Sequence, residues 1–532
     1  MSSIKVKSYA EIATLTVGAK VNELQLESYE VNTGKGGGRF ARAPSTLPAV
    51  EGFRVKTKDG QTFERQYDEV TPKTIKAEYL GWLFNFEGDA VEFLNRLFKA
   101  GVAAKLPVEL PKSFIFRCGA ALALPAGLPG IYGNGSFLYF YYNNANLQGL
   151  ISADGIKDCV IRELNIDFDR GDDRIKSVIG IWLRNQQNCQ VIDCNIASKE
   201  NHSFLARAGG ALKEPNVGLV VENVRTYVQK KVEDDARQNF LFDLDDSTKM
   251  DTVYKETQTV PERVGHKGYV VRGCEAYNGR YGFGGSWCEK FTIENCTAYC
   301  NTRSISFQNN PRNNVINGFR AYEALSASIH LNYGPKGNRV ENTIVKSSRA
   351  NNQGALHVSL DADGNVCENI DIEITSPAGL RWAIYGGANF TNNVFRNIII
   401  NAPCYQGLMV FESGWEAGDE HGGYGGVISR TKGADVGKWQ TKASDNNLIE
   451  NITVYTSTKS PALVIAAVKE NMSNFTARNI TINGDAMSKT LRVVETGTAK
   501  VSGIDFDNVQ VDLARAELGA LTAYKRLSVV DL

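Results

Sequence analysis

The stretch that decides the fold is Ile449-Glu-Asn451-Ile-Thr-Val454, in which apolar residues flank an asparagine at fixed places. Seven further stretches follow the same order: Val221–Thr226, Ile293–Ala298, Val340–Val345, Cys367–Ile372, Phe395–Ile400, Ala477–Ile482 and Phe506–Val511. Four more carry another residue at the Asn position: Glu163, Asp193, Gly273 and Gly318. Most successive copies lie 22–30 residues apart, and two gaps of 50 and 54 residues are roughly double spacings. The chain is therefore a repeat protein.

The conformation at the Asn position, here called the anchor, explains the pattern. Apolar side chains on both sides of the anchor reach one interior only if the chain bends there, and a residue in the left-handed αL region produces such a bend. Asn, Asp and Gly adopt this region more readily than other residues. Each repeat is too short to bury its own apolar face, so the repeats must stack as coils. The sequence predicts an all-β protein, a right-handed single-stranded parallel β-helix.

Two other repeat folds fit less well. Leucine-rich repeats share the period but need a dense leucine pattern, which this chain lacks. Propeller blades need about 40 residues or more per repeat. We therefore keep the β-helix as the prediction.

Composition excludes several classes of protein. The 59 Lys and Arg residues balance 59 Asp and Glu residues, which argues against nucleic-acid binding. The chain contains no apolar run of about 18 residues, so no membrane span is predicted. The N-terminus shows no classical secretory signal. Ten cysteines are too few for a disulfide scaffold, and their spacing suggests no zinc site, so we expect reduced, buried thiols. We predict no cofactor and no metal.

Four segments make up the predicted chain. Residues 1–75 form a small β-rich module, and residues 76–145 form a linker with a helix at 88–100 that covers the open end of the coils. Asp89 is the expected N-cap of this helix, and Gly101 its stop. The β-helix occupies 146–511, with insertions at about 228–266 and 412–445, and a short segment, 512–532, follows.

A second strand follows each anchor by roughly 10–18 residues, as in Ser328-Ile-His-Leu-Asn332. Apolar residues take every second place, so the residues between them should face outward. The predicted outward residues are Trp182, Arg184, Ser306, His330, His357 and Ser359. They would line one long flank, suited to an extended ligand.

The order of parts resembles that of bacteriophage tailspike proteins with a pectate-lyase-like β-helix. The resemblance lies in Val6-Lys-Ser-Tyr-Ala-Glu-Ile12, Gly34-Lys-Gly-Gly-Gly-Arg-Phe40, Phe53-Arg-Val-Lys56, Phe63-Glu-Arg65, Val70-Thr-Pro72 and Leu106-Pro-Val-Glu-Leu-Pro111. It implies a homotrimer that binds, and usually cleaves, a bacterial surface polysaccharide. It also implies a place in the virion tail, attached to the tail or another spike through the N-terminus. The expected reduced cysteines and the lack of a secretory signal fit assembly in the host cytoplasm.

Glycoside hydrolysis uses two carboxyl groups about 5–9.5 Å apart, and the sequence offers two pairings. Asp243 and Asp245 lie in a cluster with Asp246 and would share one face of an extended strand at about 7 Å. Asp361 and Glu412 would end outward strands two coils apart, at about 9–10 Å. Each pairing predicts an endo-glycosidase.

A polysaccharide lyase is the alternative, because β-elimination needs a base for the proton beside a uronic acid carboxylate. His330 and His357 should lie on neighbouring coils about 5 Å apart, with Arg381 and Tyr385 nearby. Flat side chains would bind sugar rings in any of these cases, and the candidates are Trp182, Trp287, Trp382 and Trp415. A third possibility is an adhesin that binds the glycan without cleaving it.

Overall fold

The computed structural model of the chain describes most of the sequence. The described residues are 2–67, 73–82, 88–142, 149–175, 177–208, 215–229, 238–244, 265–299, 302–324, 326–349, 354–387, 389–404, 407–413, 443–457, 463–467, 470–484, 491–495, 498–510 and 524–530. They divide into two compact units, Met1–Lys199 with Leu219–Arg225 and Glu200–Gly218 with Thr226–Leu532.

The first unit begins with a five-stranded sheet. Its strands lie in the order Ser2–Val6, Val21–Leu26, Gly38–Ala43, Thr62–Arg65 and Arg54–Lys56. The first pair is parallel and the other pairs are antiparallel. A one-turn helix, Tyr9–Ile12, follows the first strand. Leu24, Phe40 and Phe63 fill the core of this sheet, where alternate side chains of each strand meet.

The helix expected at 88–100 lies at Val91–Ala104. The prediction that Asp89 is the N-cap is wrong by one residue, since the N-cap is Ala90, although Asp89 Oδ1 accepts a hydrogen bond from the Val91 N–H at 3.0 Å. The prediction that Gly101 ends the helix is wrong. The helix continues to Ala104, and Lys105, with a φ of 56°, is its C-cap. A Cβ on Gly101 would lie 2.7 Å from Val108 Cγ1, so this glycine serves close packing rather than termination.

Short strands make up the rest of the first unit, together with a 3₁₀ helix at Ala77–Leu80. The strands are Ile75–Lys76, Val108–Glu109, Ile115–Cys118, Leu122–Leu124, Gly130–Phe140, Gly149–Asp154, Val160–Phe168, Ile179–Arg184, Gln190–Ile192, Asn195–Lys199 and Val220–Glu222. Strands of successive repeats pair in parallel, for example Val160–Phe168 with Gly130–Phe140.

Three parallel sheets make up the second unit. The site sheet contains ten described strands in this order: Phe204–Ala208, Phe240–Leu244, Tyr281–Ser286, Arg303–Gln308, Ile329–Asn332, Leu356–Ser359, Ile384–Gly387, Met409–Glu412, Leu463–Ala467 and Leu491–Glu495. The second sheet consists of two runs of short strands, which single bridges through Arg312 and Lys336 connect. The first run is Asn216–Val217, His266–Lys267 and Cys288–Glu289, and the second run is Ala362–Asp363, Phe390–Thr391, Ser444–Asp445, Met472–Ser473 and Val501–Ser502.

The third sheet carries the anchors and is called the anchor sheet. Its described strands are Val270–Arg272, Glu275–Tyr277, Thr292–Glu294, Thr297–Tyr299, Val315–Asn317, Arg320–Tyr322, Arg339–Ser347, Val366–Ile374, Val394–Asn401, Leu448–Tyr455, Thr476–Asn483, Ile504–Gln510 and Tyr524–Val530. The strand Arg225–Gln229 also belongs to it, although Arg225 lies in the first unit. Every pairing within the three sheets is parallel, as in Val366–Ile374 with Val394–Asn401. The predicted parallel β-helix is confirmed, and its right-handed sense stays a prediction.

All twelve predicted anchors adopt the left-handed conformation. Their φ angles range from 50° at Asn342 to 65° at Gly318, and Glu163 has a φ of 53°. The bend thus occurs even at the one copy whose residue disfavours it, because stacking on neighbouring coils determines the local conformation.

Two ladders of asparagine side chains run across successive coils of the second unit. The exposed ladder joins anchors, as where Asn369 Nδ2 donates to Asn342 Oδ1 at 3.2 Å. The buried ladder consists of Asn314, Asn338, Asn365, Asn393 and Asn447. From Asn338 onward, each amide oxygen accepts hydrogen bonds from the backbone N–H and the side-chain amide of the preceding residue in the ladder, so these polar groups are satisfied without water.

The described cysteines are buried free thiols, and burial raises the pKa of Cys288 well above its ordinary value. No described group of three or more His, Cys, Asp or Glu residues could hold a metal ion. Within the described ranges, no helix is long and apolar enough to cross a membrane.

Candidate functional site

The site sheet presents one face to the interior and another to the opposite side. Phe307 and Phe411 point inward, where their rings contact Phe291 and Phe395 with centroids 5.9 and 5.6 Å apart. The residues between them therefore project from the other face. Any chemistry that this sheet offers to a ligand must come from that face.

Parallel register arranges these projecting side chains in two columns. The first column contains Ser306, His330, His357, Tyr385 and Val410. The second column, two residues further along each strand, contains Gln308, Asn332, Ser359, Gly387 and Glu412. Neighbours in a column lie on adjacent strands, whose backbones are about 4.8 Å apart, so their side chains can hydrogen-bond or stack.

The columns are buried, which corrects an expectation from the sequence. The exposed fraction is 2% for His330, 1% for His357 and 0% for Glu412, and Ser306 and Ser359 are equally inaccessible. The predicted outward direction fits the alternation, but the predicted contact with solvent is wrong for these residues. Alternation determines the face on which a side chain lies and says nothing of what covers that face.

His330 lies beside a cation and two hydrogen-bonding side chains. Arg303 Nη1 donates to His330 Nδ1 at 3.3 Å, and Ser306 Oγ lies 3.3 Å from the same nitrogen. Gln308 Nε2 donates to Ser306 Oγ at 2.9 Å, which leaves the Ser306 proton for His330. Since Arg303 can only donate, His330 Nδ1 is an acceptor.

A second chain of hydrogen bonds determines the tautomer of His357. The backbone N–H of Tyr333 donates to Asn332 Oδ1 at 2.9 Å, which identifies that atom as the amide oxygen. Ser359 Oγ must then donate to it at 3.0 Å, and Ser359 Oγ accepts from His357 Nε2 at 2.7 Å. His357 therefore carries its proton on Nε2, and its Nδ1 has a free lone pair.

Both imidazoles are neutral at pH 7. Burial, together with the positive charge of Arg303, lowers the pKa of His357 to about 3. The same causes, with a smaller effect of His357, hold the pKa of His330 well below its usual range. Their ring centroids lie 4.6 Å apart at an interplanar angle of 68°. The expected proximity is confirmed, in an edge-to-face arrangement that a pair of neutral rings favours.

Tyr385 connects the first column to the carboxylate in the second. Its hydroxyl donates to Glu412 Oε1 on the next strand. Gly387 makes this contact possible, because a Cβ there would lie 2.3 Å from the Tyr385 hydroxyl oxygen. The glycine thus leaves a slot for the phenol.

Aromatic rings form a wall beside these groups. Tyr385 lies 4.7 Å from His357 and 4.8 Å from Trp382, measured between ring centroids. Val410 and Val464 continue the cluster. The Arg381 guanidinium lies 4.8 Å over the Trp382 ring, so the cation and the indole form one group. The predicted group of His357, Arg381 and Tyr385 is therefore assembled, with Trp382 at its centre.

The other predicted carboxylates lie away from this group. Asp243 belongs to the site sheet, but six strand spacings, about 29 Å, separate its strand from that of Glu412. Asp361 lies in a bend after Ser359, with a φ of 60°, and its Oδ2 is 3.9 Å from Lys336 Nζ. The register places Ser359, and not Asp361, in the column of Glu412, so the expected pairing of the two strand ends is wrong. Asp245 and Asp246 lie outside the described residues.

The remaining predicted platforms differ in position. Trp287, in an apolar cluster with Ala208, Leu244 and Tyr333, is 1% exposed, and Trp382 is 0% exposed, so neither indole face is open to a sugar in this conformation and the expected exposed platforms are wrong for both. Trp182 and Arg184 belong to the first unit, and Arg184 Nη1 pairs with Asp154 Oδ2 at 3.1 Å. Trp415 lies outside the described residues.

Sequence reasoning missed Arg303, Asn332 and Gly387. A signal existed for the last two, because aligning the second strand of each repeat places them between Gln308 and Glu412 in one column. Arg303 gave no such signal, since it reaches His330 by its side-chain length.

Comparison with solved structures finds several proteins that align with most of this chain at low sequence identity. The A-module of the Azotobacter vinelandii mannuronan C-5 epimerase AlgE4 matches with a TM-score of 0.46 and 14% identity, over 80% of this chain and 96% of that one. Tailspike protein 3 of bacteriophage CBA120 matches with a TM-score of 0.45 and 9% identity, over 80% and 62%. PfbA, a surface adhesin of Streptococcus pneumoniae, matches with a TM-score of 0.41 and 10% identity, over 81% and 93%.

No protein-family model and no curated protein sequence matches the chain. At these identities the function has to be argued from the residues of this chain.

Proposed function

We propose that this protein binds a bacterial surface polysaccharide along the site sheet and cleaves it within the chain by hydrolysis. The observation that carries the proposal is the assembly of Glu412, Tyr385, His357 and Trp382 on one face of the sheet. A carboxyl group, hydroxyl and imidazole groups and aromatic rings are the groups that recognise and cleave glycans. The resemblance to tailspikes supports a phage-tail homotrimer attached through its N-terminus.

Glu412 is the carboxyl group that we assign to the reaction. The Tyr385 hydroxyl holds one of its oxygens and so orients the group. Hydrolysis needs a second carboxyl group within about 9.5 Å. A residue outside the described ranges or from a neighbouring subunit supplies it in this proposal, and Asp245 is a candidate only from a neighbouring subunit, because the strand that precedes it lies about 29 Å from that of Glu412.

Burial of the columns places a requirement on the mechanism. Glu412, His357 and His330 are at most 2% exposed, so a glycan reaches Glu412 only after a conformational change. The proposal therefore includes an opening step before chemistry.

Elimination by a lyase is the second candidate, and one observation favours it. His357 Nδ1 carries a lone pair, and the cation Arg303 nearby suits the carboxylate of a uronic acid. Because burial and Arg303 lower the pKa of His357 to about 3, this route requires the substrate carboxylate to offset the charge of Arg303 and so restore the basicity of His357. In this case His357, rather than Glu412, carries the reaction.

Purified capsular, exopolysaccharide and O-antigen preparations from a panel of bacteria provide the test. New reducing ends without absorbance near 230 nm are expected for hydrolysis, whereas that absorbance indicates elimination. Retention in an affinity gel without shortening indicates an adhesin. Absence of both binding and cleavage across the panel would contradict the proposal.

Variants assign the chemistry to residues. We expect Glu412→Gln to reduce the rate about 100-fold or more while binding persists, because the amide cannot transfer a proton. Asp243→Asn and Asp361→Asn serve as comparisons, since both residues lie away from Glu412. Full activity of Glu412→Gln would exclude Glu412 as the catalytic carboxyl group.

A further inference from the structure

Two buried polar atoms near Tyr385 have no hydrogen-bond partner in the part of the chain that the structure describes. They are His357 Nδ1 and Trp382 Nε1, on side chains that are 1% and 0% exposed. Buried polar atoms in folded proteins nearly always have a partner, so each exception calls for a missing group. The two rings are neighbours, with centroids 6.3 Å apart at an interplanar angle of 57°.

The two atoms have complementary roles. The chain from Tyr333 through Asn332 and Ser359 makes His357 Nδ1 an acceptor. Trp382 Nε1 can only donate. The group that satisfies both must donate one hydrogen bond and accept another, which a single hydroxyl oxygen does.

The acceptor role of His357 persists across the physiological pH range. Burial and the charge of Arg303 lower the pKa of His357 to about 3, so Nδ1 keeps its lone pair well below pH 7. A group that only accepts, such as a carboxylate or phosphate oxygen, would leave His357 Nδ1 unsatisfied. The geometry selects against such anions at this position.

The surroundings match a sugar hydroxyl. Tyr385 packs against both rings and provides an apolar wall next to the two polar atoms. A hydroxyl on a pyranose ring likewise lies beside apolar C–H groups. Water has the same donor and acceptor capacity, so the test must distinguish a sugar from a water.

We propose that His357 Nδ1 and Trp382 Nε1 together bind one hydroxyl group of the glycan, which donates to the imidazole and accepts from the indole. This subsite rests on the proposed function for the identity of its ligand. It assigns Trp382 a specificity role, because a deoxy sugar or an anionic substituent at this position cannot satisfy both atoms.

The test measures the affinity for the oligosaccharides that the wild-type protein releases from the polysaccharide it cleaves, or for the retained polysaccharide if none is cleaved. Trp382→Phe removes the indole N–H and keeps an aromatic ring. We expect Kd to rise about 3- to 10-fold, the effect of one neutral hydrogen bond. Trp82→Phe is the matched control, because Trp82 is buried among Phe93, Phe114 and Phe116 in the first unit. The Kd of this variant for the oligosaccharide should equal that of the wild type.

A crystal structure of the wild-type protein with the same oligosaccharide tests the subsite without any variant. A sugar oxygen within hydrogen-bond distance of both nitrogens supports the proposal. A water in that position, or an unchanged Kd for Trp382→Phe, overturns the subsite and leaves the proposed function standing. If no polysaccharide binds the wild-type protein, the proposed function and the subsite are both wrong.

Discussion

The buried asparagine ladder and the two columns of the site sheet are both stacks of polar side chains that run across successive coils, yet they differ in composition. In the ladder, Asn338, Asn365 and Asn393 repeat one residue and one set of bonds, and every amide finds partners. In the columns, the residue type changes from coil to coil except at His330 and His357, and His357 Nδ1 has no partner among the described residues. Uniform, satisfied stacks stabilise a fold, whereas a varied and incompletely satisfied stack indicates selection for binding or chemistry.

Breaking the ladder should have the largest effect on stability. Asn365→Ala leaves the backbone N–H and one side-chain N–H of Asn338 without their partner, and the Pro335 carbonyl keeps only the Asp363 N–H as a donor. We expect a loss of about 3 kcal/mol in the free energy of unfolding, since each orphaned buried group costs about 1–3 kcal/mol. Chemical denaturation measures this, and a loss below 1 kcal/mol would show that the ladder is not what stabilises these coils.

Within the columns, Tyr385→Phe should have a somewhat smaller effect. It removes one hydrogen bond to the buried Glu412 carboxyl group, which is worth about 2 kcal/mol. Tyr322→Phe is the matched control, because Tyr322 is half-buried and stacks on Tyr299 in the anchor sheet, and we expect it to change stability by less than about 0.5 kcal/mol. Equal effects of the two variants would remove the distinction between the columns and an ordinary aromatic stack.

Acid should weaken the columns and not the ladder. His357 and His330 are neutral in the folded state, so below pH 6.5 only the unfolded chain takes up their protons. The contribution of the two neutral histidines to the free energy of unfolding is fully present above pH 6.5. It falls as pH decreases toward about 3, by about 1.4 kcal/mol per pH unit for each histidine. His357→Gln should remove one such contribution, so its unfolding free energy should depend less on pH between 6.5 and 5. If the free energy of unfolding depended on pH equally in the variant and the wild type, His357 would not be neutral in the folded state as assigned.

The exposed ladder should give the smallest effect. Asn369→Gly removes a side chain that bonds Asn342 and Asn397 at the surface, while glycine retains the φ of 55°. Water replaces the lost bonds, so we expect a change of less than about 0.5 kcal/mol in the free energy of unfolding. A loss comparable to that of Asn365→Ala would show that burial does not distinguish the two ladders.

The site was only partly predictable, and the reasons are physical. The proximity of His330 and His357 followed from the repeat, because equal coil lengths place equivalent residues on adjacent strands. The pairing of Asp361 with Glu412 failed because Leu360 and Asp361 adopt positive φ and end the strand two residues early. A bend of this kind has no periodic signal, unlike the anchors.

The amino-acid sequence by itself determined the coil, since the period, the αL anchors and the alternation of apolar residues are local properties that repeat along the chain. Only the tertiary structure decided which polar side chains meet, how deeply they are buried and which atoms they leave unsatisfied. Tyr385 reaches Glu412 because Gly387, on its own strand, leaves room for the phenol. Such contacts depend on the register between strands and on side-chain length, and neither is written in the repeat.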